Sequence, residues 1–418
     1  MSLTAILAFI VVFALLVSFH EFGHFIVAKK TGVLVREFAI GMGPKLFSWY
    51  RNSTSYTIRL LPVGGYVRMA SEEDHAELVA GQQVYLEQDP DGLVVNIDCQ
   101  ADREEAGFLF QIDQADLVDG LVLTGYRNGS NVMETLFVAP TALIIDDSGQ
   151  ETRIAPRSSW IESASALKRL AINLAGPVMN FVLALLAAMV LAFSLGQVST
   201  NTPVLGQVVA HQPAAEAGLK ANDRILSVDG HSVKTFTDFA SRVNKAGQSA
   251  LFISYQRSGV TKSVKVTPEA VAVSGQKTYR IGVVAKEETG FTNRLQYGLT
   301  MTGSWFTQVG RGILDLFTST FSLNKLGGPV MLAKATSTAS NQGFLTVLAL
   351  LGFLSVNLGL INLLPIPPLD GGKVFLDLYE TIFRHPFPKA LANGIIMVGT
   401  VALLILMVLV TAKDLLQF

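Results

Sequence analysis

Four long apolar runs set the frame of the chain. Residues 4–28, Leu170–Leu195, Phe344–Leu364 and roughly Leu391–Val410 are each long enough, at 1.5 Å per helical residue, to cross the ~30 Å hydrocarbon core of a bilayer. After the first run the pattern shortens to strand-like stretches, Arg36–Ile40, Tyr56–Leu61 and Tyr66–Met69, punctuated as turns by Gly41, Gly43-Pro44, Pro62 and Gly64-Gly65. Residues 72–157 carry short β-like runs such as Leu93–Ile97 and Ala142–Ile145, which predict a small folded insert. Beyond the second apolar run come a strand at Val204–Val208, a short helix at Pro213–Leu219 capped by Gly218, a turn, strand and tight turn over Asn222–Gly230, and a helix at Phe236–Lys245. From Asn293 to Ser340 the chain is amphipathic, interrupted by Trp305, Arg311, Asp315 and Lys325, and predicts helices lying at a membrane surface. These breaks divide the chain at 1–30, 31–71, 72–160, 161–196, 197–287, 288–342, 343–378 and 386–418.

Composition turns this pattern into a class. Half of the residues are hydrophobic, 16% are charged and the mean hydropathy is +0.42, a balance too apolar for an ordinary soluble chain. The expected fold is a polytopic α-helical membrane protein with four transmembrane helices, a membrane-associated β-hairpin or sheet element and one extracytoplasmic α+β domain. A net charge of −1 leaves no basic stripe to neutralise phosphates, which excludes a nucleic-acid partner. The lone Cys99 excludes an intramolecular disulfide and any paired-cysteine metal site. Charge also orients the spans. Lys29, Lys30 and Arg36 follow the first run and Lys168-Arg169 precede the second, so both ends are expected in the cytosol, with the N-terminus and, after four crossings, the C-terminus outside. No Lys or Arg precedes the first run and no small-residue cleavage site follows it, so it is read as a retained span. The stretch 72–157 has 18 Asp or Glu against four Lys or Arg, an acidic cytosolic insert whose role the residues do not state.

The candidate chemistry sits inside the first span. In His20-Glu21-Phe22-Gly23-His24 two imidazoles at i and i+4 share one helix face, where both reach a single metal, and the Glu between them can act as base toward a water there. Such residues are costly in hydrocarbon and mark a functional site. A pair of snorkelling histidines accounts for neither the spacing nor the Glu. His20 falls about 24 Å along the helix, near the cytosolic edge, where water has a short route. A catalytic zinc takes three protein ligands and keeps its fourth position for water. His211 and His231 lie in the extracytoplasmic module, His75 heads the acidic insert and His385 is in a polar turn, so the third ligand is expected to be Asp370. Three prolines in Asn362-Leu363-Leu364-Pro365-Ile366-Pro367-Pro368-Leu369-Asp370-Gly371-Gly372 stop the third span, Gly371-Gly372 lets the backbone turn, and the crossing returns Asp370 to the side of His20 and His24. An Asp-Gly turn between spans is the plainer reading of those residues alone. Asn180, in Gly176-Pro177-Val178-Met179-Asn180 of the second span, is either packing glue or a residue near the site. The strands that follow the metal helix can offer an edge to a substrate.

The elements of 203–285 closely resemble a PDZ domain, a fold that binds extended peptide ends at a sheet edge, with Leu205 and Gly206 as its expected peptide groove; Asn222 stands where a Gly is usual before the Asp. Taken with HEFGH, the Leu61–Met69 loop, GPVMN and Asn362–Gly372, the chain resembles over nearly its full length the site-2 protease family of intramembrane zinc metalloproteases. Within it the likeness is to the RseP type, and in the single PDZ domain and long insert to its Gram-positive RasP- and Eep-like members. The resemblance implies one zinc ion on His20, His24 and Asp370 with water as fourth ligand, and Glu21 as catalytic acid and base. It further implies a membrane-embedded β-hairpin that holds unwound substrate at Gly64, Gly65 and Tyr66, with Asn362 and Pro365 near the substrate. The implied function is hydrolysis of peptide bonds within the spans of single-span membrane proteins, of anti-sigma-factor or signal-peptide-remnant type, in regulated intramembrane proteolysis at the bacterial cytoplasmic membrane. Family members with two PDZ domains exclude bulky substrates with them; this chain has one. Two other classes stay open on residues alone: a non-catalytic membrane PDZ adaptor, which has no use for Glu21, and a zinc carrier, which needs several polar sites along a path.

Overall fold

A computed structural model describes residues 2–72, 78–100, 107–128, 130–146, 149, 151–273, 276–318 and 326–416; His75 and Lys325 lie outside them. The chain separates into two compact units, one of residues 1–184 and 306–418 and one of residues 185–305. Four helices among the described residues are long and apolar enough to cross a membrane: α1 (Leu3–Thr31), α2 (Ala166–Ser194), α7 (Phe344–Asn362) and α9 (Lys389–Leu416). Ser2 caps α1 by accepting from the Ala5 amide, and Gly32, in the left-handed region at φ 88°, ends it after Lys29 and Lys30. The protein is therefore a multi-pass membrane protein by the length and apolarity of these helices.

In the first unit α1 packs against the β-element, α6 (Pro329–Gln342) and α7. The β-element is two long strands, β1 (Val35–Arg51) and β2 (Thr54–Met69), rather than three short ones. Gly41, Gly43 and Gly64 take positive φ and bend the strands without ending them, so the glycines expected as turns act as bulges. Each strand is long enough to be used twice. Phe38 stands opposite Val67 and Tyr56, Ala39 opposite Tyr66 and Thr57, and Tyr56 opposite Trp49 as well. Residues 65–69 thus form one outer row of this sheet, with no further strand paired to it among the described residues.

The acidic insert is a folded body with its own core. Its strands β3 (Gln83–Gln88), β4 (Val94–Asp98), β5 (Phe108–Asp116), β6 (Val122–Arg127), β7 (Met133–Ile145) and β8 (Glu151–Arg153) form a sheet in the order β4-β3-β5-β6-β7-β8. An added parallel pairing of β4 with β7 closes the sheet around Leu86, Ile97, Phe110, Ile112 and Leu123, all buried. Both ends of the insert are tied down where the Leu34 amide donates to the Ser159 carbonyl and the Ile161 amide to the Ala70 carbonyl, over a small core with Trp160.

The second unit contains β9 (Val198–Ser199), β10 (Leu205–Val208), α3 (Pro213–Glu216), β11 (Arg224–Val228), β12 (His231–Ser232), α4 (Phe236–Lys245), β13 (Leu251–Arg257), β14 (Val260–Val266), β15 (Glu269–Val273), β16 (Gln276–Arg280), β17 (Val283–Ala285) and β18 (Glu287–Glu288). Strand, short helix, strand and long helix follow in the expected order, and Asn222 adopts φ 70° as a glycine there would. Asp223 is fully buried and bidentate with Arg257, at 2.7 Å on each oxygen. Burial pushes its carboxyl up, but Arg257 and the Lys220 amide outweigh that and hold it below the ordinary value. Leu205, expected in a peptide groove, is fully buried and opposite Ala285, so its side chain is spent on the core and its backbone on the sheet. A cavity of about 340 Å³ runs between α4 and residues 279–284, lined by Phe236, Phe239, Val243, Ile281 and Val283. Gly206 stays on the same strand, with the Ala285 carbonyl 2.5 Å from where a Cβ would stand.

α5 (Phe291–Thr318) and α6 occupy the stretch read as surface helices, and α8 (Asp370–Phe383) follows α7.

Candidate metal centre

His20 and His24 lie on one face of α1, both buried, with their Nε2 atoms 3.3 Å apart. Asp370 comes from the first residue of α8. Turns closed by the Ile366 amide on the Leu364 carbonyl at 2.7 Å and the Leu369 amide on the Ile366 carbonyl at 2.9 Å carry the chain there from α7. Gly371 and Gly372 are inside the helix and not at a bend. Their value is close approach: a Cβ on Gly371 would stand 2.3 Å from the Leu364 carbonyl oxygen, so only glycine lets the loop fold onto the first turn of α8. Asp370 Oδ2 then lies 3.1 Å from His20 Nε2 and 3.3 Å from His24 Nε2.

These three atoms have the spacing of a ligand set. Ligand atoms about 2.0–2.1 Å from a tetrahedral zinc are separated by about 3.3–3.4 Å, close to the edges of this triangle. His24 Nδ1 is 2.7 Å from the Ile172 carbonyl, which can only accept, so the ring's proton is on Nδ1 and Nε2 offers a lone pair. Asp370 Oδ2 is buried and has no hydrogen-bond partner. A buried acceptor facing the lone pair of His24 Nε2 is what a bound cation explains. The residues present fit zinc.

α2 supplies the wall behind this site. α1 and α2 cross closely enough that a Cβ on Gly23 would stand 2.2 Å from the Ala175 carbonyl oxygen, and one on Gly176 2.2 Å from His24 Nε2 and 2.8 Å from His20 Cε1. Asn180, fully buried, places Nδ2 3.1 Å from His20 Nδ1, while its backbone carbonyl accepts from the Ser355 hydroxyl of α7 at 2.7 Å. Gly176 and Ile172 are not evident as site residues in the sequence; Gly23, Ala175 and Gly176 come together only at the helix crossing.

Glu21 stands on the side of α1 that meets the outer row of the sheet. A Cβ on Gly65 would lie 3.5 Å from Glu21 Cγ and 3.1 Å from Val17 Cγ1. In the same sheet Arg59 Nη2 donates to Glu37 Oε1 at 2.7 Å and to the Tyr66 hydroxyl at 2.5 Å, and Thr57 donates to Glu37 Oε1 at 2.7 Å. Asn362 ends α7, half-buried, and Pro365 is exposed in the following loop. His211 and His231 belong to the second unit, and His385 is exposed beyond α8.

Residues 8–406 match the model of peptidase family M50. The chain belongs to that family. Among its relatives, a probable protease, Eep, of Enterococcus faecalis is 42% identical over 418 residues, covering 99% of both chains. The zinc metalloprotease RasP of Bacillus licheniformis is 37% identical over 415 residues and the regulator of sigma-W protease RasP of Bacillus subtilis 37% over 421, each again covering 99% of both chains. This M50 peptidase is a zinc metalloprotease, and the adaptor and carrier readings fall away. A PDZ domain of an SdrC-like protein from Listeria monocytogenes matches 21% of this chain and 90% of its own at 22% identity with a TM-score of 0.19.

Proposed function

We propose that the protein is an intramembrane endopeptidase that cleaves peptide bonds within the spans of single-span membrane proteins, of anti-sigma-factor or signal-peptide-remnant type, in regulated intramembrane proteolysis. His20, His24 and Asp370 would hold one zinc ion, which would supply Lewis acidity toward the scissile carbonyl. Glu21 takes a proton from the attacking water and returns it to the departing amide nitrogen, splitting the work of base and acid over one carboxyl. The observation that carries the reading is the approach of three buried ligand atoms to 3.1–3.3 Å, with Glu21 between the two histidines in a helix apolar enough to span.

A substrate helix hides its carbonyls in its own hydrogen bonds, and baring them in lipid costs several kcal/mol each, to order of magnitude. The outer row Gly65–Met69, with Gly65 beside Glu21, offers a partner for that unwound backbone: substrate adds as a strand, Gly64, Gly65 and Tyr66 line its path, and Asn362 and Pro365 border it. Lys29, Lys30, Lys168 and Arg169 support an orientation with both termini outside and the site near the cytosolic face of the cell membrane, the PDZ-like unit outside and α5 and α6 along the membrane surface. Purified wild type and Glu21→Gln, each analysed for zinc and for hydrolysis of a single-span substrate, test the catalytic assignment. The account expects equal zinc and a loss of activity of at least about a hundredfold; near-normal hydrolysis by Glu21→Gln removes Glu21 from that role.

A further inference from the structure

We infer that Asn180 is a positioning residue that sets the tautomer of His20, and so decides whether the ring can take a metal. The inference rests on the metal-site reading above and deepens it. A neutral imidazole carries one proton. If it is on Nε2, His20 turns an N–H toward Asp370 Oδ2, 3.1 Å away, and has no lone pair there for an ion. If it is on Nδ1, Nε2 is free to ligate. His24 is settled by the Ile172 carbonyl, which accepts only. For His20 the atom at Nδ1 is an amide end, which can be either donor or acceptor. Asn180 Nδ2 and Oδ1 are the same size, so the same pocket takes either orientation. Oδ1 is buried and has no partner of its own, so no hydrogen bond on the oxygen side opposes a half-turn of the amide. With Oδ1 facing His20, Nδ1–H donates across the 3.1 Å gap and Nε2 is presented to the ion. The Ser355 hydroxyl on the Asn180 carbonyl pins this turn of α2 to α7, so the amide is held at His20 by the backbone as well as by its own contact. α2 contributes no ligand yet sets the tautomer of both histidines, one through Ile172 and one through Asn180.

The test uses the full chain in detergent. Asn180→Leu keeps the volume and removes the acceptor; Asn180→Asp keeps an acceptor and cannot donate to Nδ1. Zinc affinity is measured by chelator competition, and the melting temperature of the metal-free protein reports packing. Selective ¹⁵N-histidine labelling, with His20 assigned by comparison with His20→Gln, reads the tautomer in the metal-free state. Asn180→Leu is expected to weaken zinc by about 10–100-fold and move the His20 proton to Nε2. Asn180→Asp is expected to bind zinc within about threefold of wild type with the proton on Nδ1, as a carboxylate behind a ligating histidine does. Wild-type affinity in Asn180→Leu, or equal loss in both variants tracking a lower melting temperature, overturns the inference in favour of packing. Undiminished zinc binding by His24→Gln and Asp370→Ala instead overturns the metal-site reading on which it stands.

Discussion

A glycine is the most exposed test of the site at the scale of single residues. Gly176 lies in α2, where replacing Gly by Ala should add up to about 1 kcal/mol of helix stability, yet the new methyl would fall 2.2 Å from His24 Nε2. Gly176→Ala is therefore expected to lower the melting temperature of the metal-free protein, since overpacking a buried site costs about 1–3 kcal/mol and outweighs the helix gain, and to lower zinc affinity at least tenfold by chelator competition. Wild-type zinc affinity in that variant would mean that the histidines do not meet the ion at this wall. The contrast between Gly176 and the proposed ligands explains what a sequence makes visible. His20, Glu21 and His24 are legible because metal chemistry demands those side chains at helical spacing, and Asp370 because prolines break the span before it. Gly176 and the Ile172 carbonyl have no side-chain chemistry to read. Their meaning lies in a helix crossing that only the folded chain reveals.

Elements carry the site through one polar joint. Arg169 and Asn173 on α2 bind Asp377 on α8, at 2.9 and 2.7 Å, and Arg169 also reaches Glu380, which stands one turn on from Asp377. Burial pushes Asp377 up against the pull of Arg169. The joint lies two turns beyond Asp370 and fixes the helix that presents it. Arg169→Met leaves a buried carboxyl without its cation, a loss of about 3 kcal/mol to order of magnitude, and is expected to lower both the melting temperature and the zinc content. Lys168→Met, next to it and exposed, removes only a surface hydrogen bond to the Thr31 carbonyl and should leave the zinc content unchanged with at most a small drop in melting temperature. The sheet behaves differently from its expected form for a physical reason. Glycines at positive φ and prolines read as strand ends, but in a bent, bulged strand they mark kinks within one element. Closure of the insert through β4 and β7 was equally hidden, since pairing between residues 94 and 138 leaves no local signal. Strand addition at residues 65–69 makes its own demand on substrates. Gly or Pro placed in a substrate's span should speed cleavage, and Leu-rich spans of equal length should slow it; equal rates for both would remove unwinding as a controlling step.

The whole molecule consists of two compact units, and the second, with a core of its own, carries an acid-sensitive ion pair. Asp223 has its folded pKa below the unfolded value of about 3.9, so its contribution is present above that pH and is lost as pH falls through the folded value. Hydrogen exchange over residues 203–285 of the full chain should lose protection as pH falls below about 4, and Arg257→Met should lack that acid-dependent component. The order of elements in this unit was legible in its turns and helix pattern, while the place of Leu205 was not: it reads as an edge residue until Ala285 is seen paired with it. What unites the molecule is the claim that it cuts inside the bilayer, and the position of the cut tests it most directly. The purified protein, reconstituted in liposomes with a single-span substrate, is assayed with zinc, with a chelator and as Glu21→Gln, and the product ends are mapped by mass spectrometry. The account predicts zinc-dependent, Glu21-dependent cleavage at bonds within the hydrophobic span. Products that end only in the flanking loops, or cuts within the span that persist in Glu21→Gln, would contradict it.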